Sequence, residues 1–367
     1  MTFGAQPVVK PKLQPLPTQP AGVPWPTHEW PRAELDPRVD RSLLDRTLDE
    51  ALNEPQSEKY VRTHATLVVQ HGKIVVERYA HDVKPEDTHA SWSMAKSVTQ
   101  SLIGICVRQG KLDIHKPADV PEWLEEPNDP RRHITTDQLL RMVDGLRFRE
   151  AMPTADGTNV YYDEPNSDVI PMLFGAGKDD VAKFAGHLPR LHAPEELWNY
   201  NSGGSNLLAR IAGRIVGGGA EGMLAFMRKE LFEPIGMKYV VPKFDEAGTF
   251  IGSAFCYASA RDFARFGYLY LRNGVWDGRR ILPEGWVDYT RTATPQSEQG
   301  SYGAHFWVVP GSLGIFSANG FAGQHTMIVP KLDLVLVRLG NTPGDRMPNI
   351  ALYTKAIIDA FRPTLRT

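Results

Sequence analysis

Cysteine is scarce in this chain of 367 residues, because it has only Cys106 and Cys256, which lie too far apart for a CxxC motif. Two such residues provide neither the spacing of a zinc site nor a disulfide framework, which is typical of a reducing compartment. A surplus of either charge is missing as well, since 41 Lys+Arg face 43 Asp+Glu. This balance provides neither the excess of positive charge that is typical of nucleic-acid-binding proteins nor a polybasic membrane anchor. We therefore expect no nucleic-acid partner.

Long apolar runs are absent too. Stretches such as 102–107 and 334–337 are much shorter than the roughly 18 residues that a membrane-spanning helix needs. The first 23 residues contain no apolar run longer than two, unlike a secretory signal. We expect a cytoplasmic protein without a membrane span. The sequence does not determine the oligomeric state, and it leaves a homodimer open.

Proline, by contrast, is concentrated at the start of the chain, where nine of the 29 prolines fall within residues 7–37. Such a stretch is typical of an extended polyproline-type arm and not of a folded unit. We predict an N-terminal arm over residues 1–39, an α/β domain formed by 40–105 together with 246–367, and a helical domain with a cleft loop over 106–245.

The pattern of apolar residues predicts a sheet built from both ends of the chain. Two β-branched runs flank His71-Gly72, which indicates a β-hairpin over 65–79. The spacing from Met94 to Ile105 predicts a helix over 93–110. Further strands are predicted at 302–309, 314–318, 325–329 and 334–339, and further helices at 43–52, 134–145, 206–216, from 259 onward and at 348–361. The predicted fold class is α+β, an α/β sandwich in which helices flank an antiparallel sheet and an all-helical domain is inserted.

Several standard signatures do not occur: the sequence has no P-loop, no HExxH and no GxSxG nucleophile elbow. Residues 217–222 fit GxGxxG, but they follow a predicted helix and not a strand, which favours a flexible helix terminus. The eleven histidines show no metal-ligand spacing, and we interpret His305 and His325 as packed or surface residues. No metal site is predicted.

One short motif carries chemistry, Ser93-Met-Ala-Lys96 at the start of an amphipathic helix. Residues i and i+3 share a helix face, so the Lys96 amine can reach the Ser93 hydroxyl. Serine is a poor nucleophile until a base takes its proton, and lysine serves only if desolvation or neighbouring cations lower its pKa. The first helical turn also offers free N–H groups to an oxyanion. A polar helix start with a solvated lysine is the alternative, and the motif alone does not decide.

Two later segments favour a catalytic interpretation. Tyr200 immediately precedes a helix with a buried face, and it could relay a proton to a leaving group if the nearby ammonium lowers its pKa. In residues 318–330, glycines would let a strand backbone approach a substrate closely, with an N–H completing an oxyanion hole.

Together these segments resemble the serine-reactive β-lactamase and penicillin-binding-protein superfamily, most closely its class C-like branch. The likeness covers most of residues 60–360 and includes further segments in the family's order, at 109–113, 134–140, 258–267 and 281–286. It implies the α/β sandwich with a helical domain, acyl-enzyme chemistry, and neither a metal nor an organic cofactor.

Two departures from that branch bear on the substrate. The branch carries Tyr-x-Asn where this chain has Tyr200-Asn-Ser202, and Lys-Thr-Gly where it has Asn319-Gly320-Phe321. The missing lysine normally helps to hold a β-lactam carboxylate, so efficient antibiotic hydrolysis is not expected.

These motifs make the chain most similar to the esterase and 6-aminohexanoate-dimer hydrolase subgroup. There, tyrosine and aspartate side chains before the second motif contact an amide substrate. Tyr161, Tyr162 and Asp163 are the counterparts that we assign, the alternative being a solvated loop with ordinary aromatic residues.

The resulting prediction is a serine hydrolase for a small-molecule ester or linear amide. Ser93 attacks, Lys96 and Tyr200 act as coupled base and proton relay, and the N–H groups of Ser93 and Phe321 stabilise the oxyanion. The predicted substrate-binding residues are Trp92, Tyr162, Asp163, Ser202, Gly320 and Gly323. The alternatives are a D-stereospecific peptidase, a weak β-lactamase, and a non-catalytic scaffold or peptide-binding member of the fold.

Overall fold

The computed structural model describes residues 13–52, 59–150 and 167–365. In these ranges the helices are α1 (Arg41–Leu52), α2 (Met94–Arg108), α3 (Thr136–Arg141), α4 (Val169–Phe174), α5 (Val181–Gly186), α6 (Ser202–Val216), α7 (Gly219–Met227) with a π-helical continuation (Arg228–Phe232), α8 (Ala260–Leu271), α9 (Trp286–Arg291) and α10 (Met347–Phe361). The strands are β1 (Thr63–Gln70), β2 (Lys73–Tyr79), β3 (Val240–Pro242), β4 (Cys256–Ala258), β5 (Val275–Trp276), β6 (Arg279–Arg280), β7 (Trp307–Val308), β8 (Phe316–Gly320), β9 (Gln324–Val329) and β10 (Leu334–Gly340).

The main sheet has the strand order β2-β1-β10-β9-β8-β7 and is antiparallel throughout. Its strands come from both ends of the chain, as predicted, and helices α3 to α7 lie between those two parts in sequence. The expected α+β class is therefore confirmed. The domain boundaries at residues 105 and 245 stay predictions.

Alternation along the strands divides the core between the two faces of the sheet. On β10, Val335 and Val337 belong to the layer that includes α2 and α8, whereas Leu334 and Leu336 pack with α1 and α10. Each fully buried side chain of this kind stabilises the fold by roughly 1.5–3 kcal/mol. The sheet is thus covered by helices on both faces.

The β1–β2 hairpin forms where the sequence predicts it. His71 and Gly72 have φ angles of 50° and 77°, as a two-residue turn with both central residues left-handed requires. The glycine-rich segment after α6 also behaves as predicted, since Gly217 ends that helix with φ 76°. The GxGxxG match at 217–222 thus follows helix α6 and not a strand.

The prediction of a strand over 302–309 is largely wrong. Of these residues, only Trp307–Val308 form a strand, β7, which pairs with β8. His305 has φ 55°, in the left-handed region that a regular strand cannot contain. Its buried ring lies with Nδ1 2.8 Å from the Leu140 carbonyl oxygen. The chain therefore turns into the core here instead of continuing along the sheet edge.

The described part of the predicted arm, residues 13–39, lies against α8 and the β5–β6 hairpin. Trp25 packs on Trp276 with ring centroids 5.2 Å apart. The Arg265 guanidinium donates to the Pro26 carbonyl at 2.8 Å, and the Trp276 indole donates to Thr27 Oγ1 at 2.7 Å. The proline-rich stretch is therefore an extended segment packed on the body of the protein.

Both cysteines, Cys106 and Cys256, are buried free thiols. Across the described ranges, we find no helix that is both long enough and apolar enough to cross a membrane.

Candidate active site

The first turn of α2 brings the SxxK side chains together. Ser93 caps this helix with backbone angles that are already helical, φ −63° and ψ −6°. Lys96 is completely buried one turn further on, and its Nζ lies 3.0 Å from Ser93 Oγ. The contact that the i, i+3 spacing predicts is present.

Lys96 reaches two further oxygens from other parts of the chain. Its Nζ lies 2.8 Å from Ser202 Oγ at the start of α6 and 3.0 Å from the Ser253 carbonyl oxygen. Burial lowers the pKa of Lys96 to about 8, while the nearby Glu150 carboxylate acts in the opposite direction. A large fraction of this amine is therefore neutral in mildly alkaline solution.

Glu150 is a site residue that no sequence motif marks. Its Oε1 accepts a hydrogen bond of 2.6 Å from Ser202 Oγ, and its Oε2 accepts one of 2.8 Å from the Ser202 backbone N–H. Burial raises the pKa of Glu150, and both Lys96 and the hydrogen bonds from Ser202 oppose that shift. The carboxyl oxygens are thus engaged at the N-terminus of α6, where negative charge is favoured.

These contacts define the direction of each hydrogen bond at Lys96. Ser202 gives its single hydroxyl proton to Glu150, so its oxygen can only accept from Lys96. The Ser253 carbonyl can also only accept. A neutral amine has two N–H donors and one lone pair, so its lone pair is left for the Ser93 hydroxyl. The site therefore holds Lys96 in the orientation that a general base requires.

Tyr200 lies beside this group with its ring face 4.9 Å from Lys96 Nζ, and it forms a side-chain hydrogen bond with Ser93. Its ring stacks on Trp307 with centroids 5.5 Å apart. Burial and the Glu150 charge raise the pKa of Tyr200 above its ordinary value, against the smaller effect of Ser93. The condition attached to the proton relay, a lowered Tyr200 pKa, is therefore not met in the free protein, where the phenol is protonated.

The end of β8 passes close to the segment before α2. A Cβ atom at Gly320 would overlap the Ser91 carbonyl oxygen, so only glycine permits this approach. The next residue, Phe321, has 40% of its surface exposed and meets Trp92 edge-on at 5.5 Å between ring centroids. Trp92 itself has φ 45°, an unusual angle directly before Ser93.

A cavity of about 350 Å³ opens over these groups, with Ser93, Glu150, Tyr200, Ser202 and Gly320 in its wall. Its apolar wall is formed by Trp92, Val169, Ile170, Leu173, Phe174, Ala254, Trp307, Phe321 and Met347. Three of the six predicted substrate-binding residues, Trp92, Ser202 and Gly320, thus line it.

The other three predicted substrate-binding residues are Gly323, Tyr162 and Asp163. Gly323 does not line the cavity, because its Cα faces the guanidinium of Arg338 so closely that a Cβ atom would overlap it. Tyr162 and Asp163, with Tyr161, lie outside the described residues.

The described cavity wall has an acidic side chain but no lysine or arginine. Glu150 is its only Asp or Glu, and no Lys or Arg is among the described lining residues. His325 also lines the cavity, and burial lowers its pKa to about 3, so its ring is neutral. His305 lies deeper, with Nε2 2.9 Å from Ser205 Oγ, and is packed as interpreted from the sequence. Within the described ranges, no group of three or more His, Cys, Asp or Glu is arranged to hold a metal ion.

The family model described as Beta-lactamase matches residues 45–358. The chain belongs to the β-lactamase family. Members of this family share the serine-hydrolase fold described above, and membership indicates that the protein is a serine hydrolase.

Individual relatives agree with this family assignment. The 6-aminohexanoate-dimer hydrolase of Paenarthrobacter ureafaciens is 26% identical over 302 residues, which cover 77% of this chain and 73% of that protein. A Bacillus anthracis protein provisionally assigned as a 6-aminohexanoate-dimer hydrolase superimposes with a TM-score of 0.72 at 24% identity, covering 95% and 90% of the two chains. The octameric penicillin-binding protein homologue from Pyrococcus abyssi gives a TM-score of 0.63 at 18% identity, covering 88% and 78%.

Proposed function

We propose that this serine hydrolase cleaves esters or linear amides through an acyl-enzyme formed on Ser93. The observation that carries the proposal is the 3.0 Å contact between Ser93 Oγ and Lys96 Nζ, made by an amine whose pKa burial lowers to about 8. A lysine becomes a base for serine only when its pKa approaches the working pH.

In the proposed reaction, Ser93 Oγ bonds to the substrate carbonyl carbon as its proton passes to Lys96. The carbonyl oxygen becomes an oxyanion, held by the N–H groups of Ser93 and Phe321. The bond to the leaving group then breaks, and the leaving alcohol or amine takes a proton that Lys96 supplies through Tyr200. Water next adds to the acyl carbon and gives its proton to the same pair, which returns it to Ser93 as the acid departs. The protonation of Lys96 and Tyr200 is a joint property.

For the substrate, we propose an acyl group that is apolar and carries no negative charge. Its chain would pack on Leu173, Phe174 and the other apolar lining residues. No Lys or Arg of the described wall could pair with a carboxylate, and the sequence of residues 151–166 contains three acids but no Lys, Arg or His. A β-lactam carboxylate would therefore find no cation in these parts of the chain and would meet Glu150. The name of the Paenarthrobacter relative supports linear amides as well as esters.

Mass spectrometry after treatment with a fluorophosphonate probe tests the nucleophile. We expect one adduct on the wild type and none on Ser93→Ala, which should also lose at least roughly a thousandfold in kcat/KM. A wild type that takes up no probe, or a Ser93→Ala variant that keeps its activity, would contradict the proposal.

A substrate panel tests the chemical class. It contains p-nitrophenyl acetate, butyrate and hexanoate, the linear dimer of 6-aminohexanoate, a D-amino-acid peptide and nitrocefin. We expect Ser93-dependent turnover of an ester or the linear amide and weak turnover of nitrocefin. A clear preference for nitrocefin or for the D-peptide would instead select one of the alternatives considered from the sequence.

A further inference from the structure

The turn that follows β8, Phe321–Gly323, has an unusual backbone conformation. Ala322 has φ 60° and ψ 22°, in the left-handed region that residues other than glycine seldom occupy. Such a conformation costs on the order of 1–3 kcal/mol and persists only where the surroundings fix it. Here the carbonyl oxygens of the turn are bound by two side chains and, at Ala322, also by the Thr342 backbone N–H.

Gln324, the first residue of β9, binds two of these carbonyls from behind. Its Nε2 lies 3.2 Å from the Phe321 carbonyl oxygen and 3.3 Å from that of Ala322. The same Nε2 donates to the Gly340 carbonyl oxygen at 2.5 Å, and Oε1 accepts a hydrogen bond of 3.1 Å from the Gly340 N–H, so the Gln324 side chain ties the turn to the end of β10.

Arg338 on β10 binds the same turn, with Nη1 3.0 Å from the carbonyl oxygens of both Ala322 and Gly323. Its other terminal nitrogen donates to the Arg62 carbonyl, Thr63 Oγ1 and Thr342 Oγ1. All five acceptors are neutral, and no carboxylate pairs with this fully buried guanidinium within the described residues. A buried cation without a counter-ion is expensive, so its retention in a sheet interior indicates a role beyond packing.

We infer that Arg338 and Gln324 are positioning residues for the Phe321 N–H that the proposed reaction uses to bind the oxyanion. The Gly320–Gln324 pairing fixes the chain before Phe321. The two side chains fix the carbonyls after it, so the Phe321 N–H lies between two anchored points. The positive charge of Arg338 remains behind the turn, where it favours negative charge on the substrate side. This inference rests on the proposed function.

The test compares Gln324→Met and Arg338→Lys with the wild type. Binding of phenylboronic acid, whose adduct with serine places an anionic oxygen in the oxyanion site, is measured beside kcat and KM for p-nitrophenyl butyrate. We expect kcat and boronate affinity to fall in parallel by about 10- to 100-fold. A displaced Phe321 N–H loses part of the oxyanion stabilisation that its complete removal would abolish. KM should change less than about threefold, since ground-state binding uses the apolar wall.

Arg265→Lys is the matched control, because Arg265 is also a buried arginine but bonds to Asp262 and the arm and not to the turn after β8. We expect it to lower thermal stability without changing boronate affinity. A folded Gln324→Met protein with wild-type kcat and boronate affinity would overturn the inference, even if Arg338→Lys fails to fold. If Gln324→Met is unaffected while Ser93→Ala is inactive, the proposed function is retained and only the positioning role is overturned. If the wild type shows no Ser93-dependent turnover, both are overturned.

Discussion

Ser202 donates its hydroxyl proton to Glu150 and therefore presents only its lone pairs to Lys96, 2.8 Å away. The Glu150 carboxyl oxygen, by accepting this proton, thus decides which way the hydrogen bond between Ser202 and Lys96 runs. It also places a negative charge near Lys96, which opposes the effect of burial on the lysine pKa. Glu150 consequently acts on the proposed base in two separable ways, through hydrogen-bond direction and through charge.

Replacing Glu150 by glutamine should move the acid limb of kcat/KM to lower pH. In the wild type we expect kcat/KM to rise through about pH 8, because Lys96 must lose a proton before it can accept one from Ser93. Without the Glu150 charge, the pKa of Lys96 falls further and the midpoint moves down. The glutamine amide can also donate to Ser202, whose proton is then free to occupy the lysine lone pair, so the plateau should fall about tenfold.

Profiles of kcat/KM from about pH 5 to about pH 10 measure both effects. Glu150→Asp retains the charge and serves as the control, with a midpoint expected close to that of the wild type. If Glu150→Gln leaves the midpoint unchanged or raises it, Glu150 does not act electrostatically on Lys96.

Replacing Lys96 by methionine should change how stability depends on pH. The folded protein releases the Lys96 proton near pH 8, whereas the unfolded chain holds it until about the ordinary value of 10.5. Between these values the unfolded state binds more protons, so the free energy of unfolding rises with pH across this window. Below it, the desolvated ammonium destabilises the fold. Lys96→Met has no such group. Between pH 7.5 and pH 10, the free energy of unfolding of the wild type should therefore rise by roughly 1–3 kcal/mol relative to that of the variant.

Urea unfolding of both proteins at the two pH values gives this difference directly. The comparison needs no substrate, so it is independent of the proposed reaction. A stability difference that stays constant with pH would mean that the pKa of Lys96 is not lowered in the folded protein.

The sequence predicts the parts of this site that lie close together in the chain. Ser93 and Lys96 share one helical turn, so their contact follows from spacing alone. Glu150, which bonds to Ser202, and the Ser253 carbonyl, which bonds to Lys96, come from separate loops. They are brought near Lys96 only by the packing of α2 against α6 and the segment before β4. No local pattern marks either residue, because their importance arises from the tertiary structure.

The same distinction applies to the fold. The β1–β2 hairpin is predictable because its turn residues and the β-branched runs on either side are local signals. The irregular course of 302–309 was not, because the deciding factor is the burial of His305 against Leu140, far away in sequence. Gly323 was misplaced for a related reason: a glycine signals close approach, but the sequence does not show that the approaching group is Arg338.

Replacing Gly320 by alanine should separate β8 from the start of α2. The added Cβ atom would overlap the Ser91 carbonyl oxygen, and backbone on both sides must then move. We expect a loss of about 1–3 kcal/mol in stability and a fall in kcat/KM of at least about tenfold, because a small displacement of an oxyanion donor is enough to weaken it. Gly213→Ala is the control, since a Cβ there meets nothing within 4 Å on a helix. Equal kinetics for both variants would show that the close approach at Gly320 does not matter for activity.

Replacing Trp30 by alanine should weaken the fold without affecting the site. Trp30 is 7% exposed, meets the Tyr268 ring edge-on at 5.6 Å and donates its indole N–H to the Arg261 carbonyl oxygen. Loss of such a ring costs roughly 3–5 kcal/mol. None of the described arm residues lines the cavity, so kcat/KM measured well below the unfolding temperature should stay within about twofold of the wild type. Glu29→Ala, at an exposed position of the same arm, should change the free energy of unfolding by less than about 0.5 kcal/mol. If Trp30→Ala unfolds at the same urea concentration as Glu29→Ala, the proline-rich segment only rests on the surface and does not stabilise α8.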